Sequence, residues 1–152
     1  MADASAPQFR RAVVALSGGR TDRSIVALAA DLAKPSHAEI IGVHVVEIDW
    51  TLPLDADVAG HDEGAQRVLD IAEATAEASR YRLETVLLQA RDVGAALVDE
   101  ATEREADLLI MGLPFRRRFG GDFAVGRTIP YVLKNARCAV WVIRESMAEE
   151  RA

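Results

Sequence analysis

The stretch Ala12–Gly19, with the sequence AVVALSGG, decides the class of fold. It begins with an unbroken apolar run, which is typical of a strand buried on both faces of a parallel sheet. A Ser-Gly-Gly turn ends the run, and a helical pattern follows, with apolar residues recurring every three or four positions. We therefore predict a strand at Ala12–Leu16 that passes through a short turn into a helix.

The same alternation of strand and helix continues along the chain. Apolar runs of strand length predict further strands at Glu39–Ile48, Leu83–Gln89, Asp107–Met111 and Cys138–Arg144. Strict alternation with short connections predicts a single-domain α/β fold, in which helices cover both faces of an open parallel five-stranded sheet.

Capping residues and apolar periodicity predict the helices between these strands. Thr21 or Asp22 is expected to cap the first helix, which Pro35 ends. The second helix is expected at Asp62–Arg80, and Asp92 is expected to cap the third. The core-facing residues are predicted to be Val68, Ala72, Thr75 and Ser79 in the second helix, and Ile129, Val132, Leu133 and Ala136 in the fourth.

Composition favours one acidic globular domain. The 152 residues carry 18 Lys and Arg against 24 Asp and Glu, and this net charge of −6 argues against general binding of nucleic acid or anionic membranes. We predict a flexible arm at residues 1–9, one domain at 10–145 and a flexible tail at 146–152. No segment resembles a signal peptide or a membrane span, so a cytoplasmic location without membrane insertion is expected.

Two loops are expected to meet where a ligand would bind. In open α/β sheets this place lies beyond the carboxyl ends of the strands, where the strand order reverses. The loop after the first strand contains Ser17–Arg20, and the loop after the fourth, Gly112–Thr128, contains four glycines and the successive arginines 116–118. Glycines allow close approach of the backbone, a helix start offers free N–H groups, and arginines pair with phosphate. The combination indicates an anion site; the alternative is a solvated loop with ordinary turns.

The residues of an enzyme or metal site are not grouped in the sequence. No Ser, Cys or Lys has a base and an orienting group at an interpretable spacing, and Ser17 lacks the Gly-x-Ser-x-Gly context of a nucleophile elbow. His44 lies within a predicted strand, where a hydrogen-bonded core histidine is favoured over a metal ligand. The acidic stretch Asp49–Asp62 lacks calcium-loop spacing and is interpreted as solvated. We expect no catalytic residues and no metal.

Taken in order, these segments resemble the universal stress protein family from about Arg10 to Arg144. The landmarks are the polar turn after the first strand, His44–Glu47 at the end of the second, Ala106–Gly112 at the fourth, and Tyr131–Arg144. The resemblance implies an adenine nucleotide alpha hydrolase-like sheet of order 3-2-1-4-5 and a homodimer joined through the fifth strands, Cys138–Arg144.

Two observations bear on partners. The strand Cys138–Arg144 is apolar on both faces and is expected at the sheet edge, and a bare edge of this kind invites pairing with a second copy of the chain. The loop Gly112–Thr128 is similar to that of stress-protein domains attached to the cytoplasmic ends of some amino-acid and cation transporters. This looser resemblance implies a regulatory module that works beside a protein partner.

Some members of the family bind ATP or AMP, and the resemblance implies these ligands, with Mg²⁺ only if ATP is bound. Their loop after the fourth strand reads Gly, two residues, Gly, nine residues, Gly, Ser/Thr. Gly112 matches the first glycine, but Phe115 replaces the second. Gly126 comes one residue late, and Arg127 stands at the Ser/Thr position. Ser17 stands where binding members tend to have an Asp near the ribose. These departures weigh against ATP binding and have two explanations: nucleotide binding was lost, or a different anion is held by the arginines.

The predicted function is a cytoplasmic, non-enzymatic regulatory domain that binds an adenine nucleotide or a similar phosphate ligand where the strand order reverses. Gly126 and Thr128 are expected to supply N–H or hydroxyl donors. Arg116 and Arg127 are expected to supply charge, and Val43 a backbone contact to the base. The full set of predicted contacts is Ser17, Gly18, Gly19, Val43, Gly112, Arg116, Gly126, Arg127 and Thr128. The alternative is a nucleotide-free dimeric interaction module whose triple arginine docks on an acidic partner such as a transporter. A slow phosphohydrolase ranks last because no base is visible.

Overall fold

The computed structural model describes residues 9–53, 55–58, 62–113 and 126–146. The strands are β1 (Arg11–Leu16), β2 (Glu39–Glu47), β3 (Glu84–Ala90), β4 (Leu108–Leu113) and β5 (Ala139–Arg144). The helices are α1 (Thr21–Ala33), α2 (Glu63–Ala78), α3 (Val93–Glu103) and α4 (Thr128–Asn135), and a turn of 3₁₀ helix at Lys34–Ser36 follows α1. Most of the predicted arm and tail, residues 1–8 and 147–152, lies outside the described residues.

The sheet has the order β3-β2-β1-β4-β5, and each neighbouring pair of strands is parallel. This confirms the predicted fold class. Leu16 is aligned with His44, and Ala15 with Met111, so the carboxyl ends of β1, β2 and β4 lie side by side. The strand order reverses at β1, and this carboxyl edge is where such sheets bind ligands.

The strands read as unbroken apolar runs because both faces of the sheet are buried. Val14 and Ile110 belong to the core beneath α1 and α2. Val13 and Leu109 point to the opposite face and belong to the core beneath α3 and α4. The central strands β1 and β4 are thereby fixed from both sides, which holds their carboxyl ends in place.

The start of α1 differs from the prediction. Arg20 occupies the N-cap position and makes no side-chain cap, whereas Thr21 and Asp22 lie inside the helix and are buried. The Asp22 carboxylate turns back and accepts hydrogen bonds from the backbone N–H groups of Ser17 and Gly18. The predicted cap was wrong because Asp22 stabilises the turn that enters the helix rather than the first turn of the helix itself. Asp92, by contrast, caps α3 as predicted and accepts from the Ala95 N–H at 3.0 Å.

The core-facing side of α2 is rotated from the predicted one: Ala72 is buried and Val68 packs partly buried against the core, but Thr75 and Ser79 do not belong to the core. Thr75 is partly exposed, and its hydroxyl donates to the Ile71 carbonyl at 2.7 Å. The hydroxyl is therefore hydrogen-bonded within the helix rather than packed in the core. Small side chains take the buried positions and let α2 approach α1 closely. The buried residues of α2 are Ala65, Leu69, Ala72 and Ala76.

Two other apolar residues are placed differently from the prediction. Phe9, assigned to the flexible arm, is only 5% exposed and packs edge-on against Trp141, with ring centroids 6.1 Å apart. Leu133, assigned to the core, is 57% exposed. The eight-residue α4 buries only Ile129 and Val132, and this narrow stripe leaves Leu133 on the outer side.

Candidate functional site

A pocket of about 330 Å³ opens at the carboxyl edge of the sheet, where β1, β2 and β4 end beside the start of α4. Residues from five separate stretches of the chain meet there, at the edge where the strand order reverses. Most of the predicted contacts line this pocket, namely Ser17, Val43, Gly112, Gly126, Arg127 and Thr128.

The interior of the pocket is apolar. Val43, Val45 and Met111 contribute from the sheet, and Val93 and Leu97 contribute from α3. Val43 is only 1% exposed, so its side chain fills the floor. Apolar walls with a few polar groups at the rim are the usual composition of a site for a flat organic ring.

The polar part of the rim is the start of α4. Gly126 has a φ of +79°, a left-handed conformation that glycine adopts without strain, and it leads into the N-cap residue Arg127. The Arg127 side chain does not cap this helix, so the N–H groups of Thr128 and Ile129, both of which line the pocket, receive no cap from the N-cap residue. The Arg127 Nη2 donates to Glu47 Oε2 at 3.0 Å, and their side chains are 81% and 50% exposed.

The turn after β1 satisfies its own hydrogen bonds. The Asp22 carboxylate accepts the N–H of Ser17 at 2.9 Å and that of Gly18 at 2.8 Å. The Gly19 N–H donates to the Ser17 Oγ at 3.1 Å. Gly18 and Gly19 line a separate depression beside Val68. The structure therefore brings Ser17 into the pocket but not the two predicted glycines, because their backbone serves Asp22 and the entry into α1.

His44 is a pocket residue that was not among the predicted contacts. It lines the pocket, and its Nδ1 lies 2.7 Å from the Leu16 carbonyl oxygen. A carbonyl can only accept, so Nδ1 is the donor in this contact. The expected hydrogen bond is confirmed, but His44 is only partly buried and lies at the pocket rather than in the core. His44 lies at the pocket because it is aligned with Leu16, the last residue of β1. This alignment is known only once the register of the two strands is known.

A second cavity, of about 390 Å³, lies at the opposite edge of the sheet between α3 and the start of β5. It is lined by Cys138, and burial raises the pKa of this thiol, which opposes formation of the reactive thiolate. This cavity lies away from the carboxyl edge, where the strand order reverses. Much of its wall is formed by Val98, Ala101 and Ala106. We therefore take the carboxyl-edge pocket as the candidate site.

Within the described ranges, no three His, Cys, Asp or Glu side chains are grouped so that they could hold a metal ion. The helices of the described chain are each too short or too polar to cross a membrane.

The sequence profile of the universal stress protein family matches residues 8–144. The chain belongs to this family. A universal stress protein of Methanocaldococcus jannaschii is 23% identical over 147 residues, which are 93% of this chain and 85% of that protein.

Solved structures of other family members share the fold. A universal stress protein from Archaeoglobus fulgidus in complex with dAMP has a TM-score of 0.68 and 21% identity, over 88% of this chain and 97% of that one. A universal stress protein in complex with cAMP has a TM-score of 0.66 and 21% identity, over 91% of this chain and 98% of that one. These likenesses agree with the adenine nucleotide alpha hydrolase-like sheet expected from the sequence.

Part of the loop that the family pattern covers lies outside the described residues. Among the predicted contacts this applies to Arg116, and it applies equally to the neighbouring arginines 117–118 and to Phe115. Gly112, the first glycine of the pattern, is described, and it packs so tightly against Thr21 that an added Cβ would lie 2.9 Å from the Thr21 Oγ1.

Proposed function

We propose that this chain is a regulatory domain of the universal stress protein family that binds an adenine nucleotide, or a ligand with a similar phosphate group, in the carboxyl-edge pocket. The observation that carries the proposal is the convergence of an apolar floor with the start of α4 and Arg127 in one pocket. The complexes of related proteins with dAMP and cAMP support it. A cytoplasmic location is part of the proposal.

In the proposed complex the base lies on the apolar floor and the phosphate lies at the start of α4. The backbone of Val43, on β2, faces the base. The phosphate accepts hydrogen bonds from the N–H groups of Gly126 and Thr128 and from the Thr128 hydroxyl, and Arg127 supplies charge. Arg116 remains a predicted contact from the sequence.

The described lining fits a single phosphate better than a triphosphate. The N–H groups of residues 17–19 are occupied by Asp22 and by the Ser17 hydroxyl, so they offer nothing to a longer phosphate chain. No carboxylate belongs to the described lining of the pocket, so a Mg²⁺ ion would have to be held mainly by ATP itself. Ligands with a single phosphate group, such as AMP or cAMP, are therefore the preferred class.

We infer that the domain acts by binding rather than by catalysis. The Ser17 hydroxyl contacts Asp22 Oδ1 at 3.3 Å and accepts from Gly19, while the His44 Nδ1 contacts the Leu16 carbonyl. These two groups face different partners, so they do not form a nucleophile and base pair.

Isothermal titration calorimetry with AMP, ADP, ATP and cAMP tests the proposal. We expect saturable binding, weakened about threefold to fivefold by Arg127→Ala and largely retained by Arg127→Lys, because an exposed charge contact contributes up to about 1 kcal/mol. Lys34→Ala removes one positive charge far from the pocket and serves as the matched control. Absence of binding at millimolar nucleotide would refute the proposal and favour an interaction module that docks on an acidic protein partner.

We also propose a homodimer through β5. This strand pairs with β4 on one side, and among the described strands none lies on its other side. Its Val140 and Val142 on one face and Trp141 and Ile143 on the other are only partly buried. Light scattering during size exclusion is expected to give twice the 16.5 kDa of one chain at micromolar concentration. A monomer under those conditions would contradict the dimer.

A further inference from the structure

Glu47 places a negative charge next to Arg127, just outside the described lining of the pocket. It is the last residue of β2, and its Oε2 accepts a hydrogen bond from the Arg127 Nη2 at 3.0 Å. Its side chain is 50% exposed, so the carboxylate faces water beside the pocket rather than the core. The neighbouring Ile48, by contrast, is buried and apolar.

A phosphate bound to Arg127 would come close to this carboxylate. A guanidinium group presents several N–H donors in one plane, so it can hold Glu47 and a phosphate at once. The two anions would then lie within about 6 Å of each other, where like charges repel measurably even in a hydrated site. Glu47 therefore uses an N–H donor of Arg127 that a phosphate could otherwise bind. Its negative charge also repels any anionic ligand that Arg127 holds.

The rest of the described rim has little charge to offset this repulsion. The Asp22 carboxylate already takes the N–H groups of Ser17 and Gly18, and it is itself a further negative charge at this edge of the sheet. Among the described lining residues, Arg127 is the cation available to the ligand. The penalty from Glu47 must then grow with the charge of the phosphate group.

We propose that Glu47 makes this pocket select phosphate ligands by charge, so that a singly charged cyclic phosphodiester is favoured over a doubly charged phosphate monoester of the same nucleoside. The inference rests on the proposed function and deepens it by naming the ligand class and the residue that sets it. A phosphodiester carries one negative charge, whereas a monoester carries about 1.5 to 2 at pH 7. Glu47 thus acts on specificity without contacting the base.

The test compares the affinities of 3′,5′-cAMP and AMP for the wild-type protein and for Glu47→Gln. The substitution is expected to tighten binding of both ligands because it releases Arg127, and to tighten AMP binding about twofold to threefold more than cAMP binding. This additional factor is expected to increase at low salt, since screening is weaker there.

Glu39→Gln is the matched control. Glu39 begins the same strand, at the opposite edge of the sheet, and forms a similar exposed ion pair with Arg11 at 2.6 Å. Glu39→Gln changes the net charge of the protein by the same amount as Glu47→Gln. Because Glu39 is far from the pocket, Glu39→Gln should leave the ratio of AMP to cAMP affinity unchanged.

The outcomes separate this inference from the proposed function. Binding of both nucleotides with an affinity ratio that Glu47→Gln does not change, or that Glu39→Gln changes as much, would overturn the role of Glu47 and leave the nucleotide site intact. Failure of wild type and Glu47→Gln to bind either nucleotide would overturn both.

Discussion

Replacing Asp22 by Ala is expected to lower the free energy of unfolding by about 2–3 kcal/mol. Asp22 is 6% exposed and accepts two backbone hydrogen bonds, from Ser17 at 2.9 Å and from Gly18 at 2.8 Å. Hydrogen bonds to a charged group contribute about 1.5–3 kcal/mol each. Ser17 and Gly18 are exposed, however, so water recovers part of the loss when the carboxylate is removed.

Urea denaturation followed by far-UV circular dichroism measures this effect. The midpoint should fall with little change in the slope, because the surface exposed on unfolding stays nearly the same. Asp22→Asn should lower the free energy of unfolding by less than Asp22→Ala does, because the amide keeps one acceptor oxygen. Asp31→Ala is the control, because Asp31 lies in the same helix with its side chain 65% exposed and should contribute less than about 0.5 kcal/mol. A value for Asp22→Ala within about 0.5 kcal/mol of wild type would refute the reasoning.

Two further substitutions test the edges of the sheet. Gly112→Ala places a Cβ 2.9 Å from the Thr21 Oγ1, so the start of α1 must shift, and a loss of about 1–3 kcal/mol is expected in the same urea assay; an unchanged midpoint would contradict the packing. Burial alone would raise the pKa of Asp107, but the backbone N–H groups of residues 10–11 outweigh it and lower the pKa. The Asp107 carboxylate therefore stabilises the fold above its unfolded pKa of about 3.9, and this contribution is lost as pH falls through the lower folded pKa. Asp107→Asn should cost less than about 1 kcal/mol at pH 7 and nothing in stronger acid, and a loss that is equal at both pH values would contradict this origin.

The sheet could be predicted because its signals are local. Runs such as Ala12–Leu16 are apolar without alternation, and that pattern already implies two covered faces. The strand order could be predicted only from the family resemblance, because a single sequence does not show which parallel strands are neighbours in the sheet. The faces of helices were predicted less well because packing decides them. In α2 the alanines approach α1 closely, and Thr75 satisfies its hydroxyl within the helix.

The candidate site was predictable where a residue follows directly from its strand or helix. Gly112 lies near the end of β4 and Thr128 is the first residue of α4, so the topology alone brings them to one edge. Asp22 stabilises the turn after β1 because its side chain reaches back to Ser17, five residues earlier. The periodicity of apolar residues does not predict such a contact. His44 and Glu47 required the register of β2 against its neighbours, which only the structure supplies.

The most direct test of the account is a titration of AMP followed by ¹H–¹⁵N nuclear magnetic resonance spectra of the backbone amides. The largest chemical-shift changes are expected at Gly126, Arg127 and Thr128, where the phosphate would bind, with smaller ones at Val43. The amides around Cys138, at the opposite edge of the sheet, should not move. The largest changes at that opposite edge, or no changes at the start of α4 while AMP binds, would contradict the account.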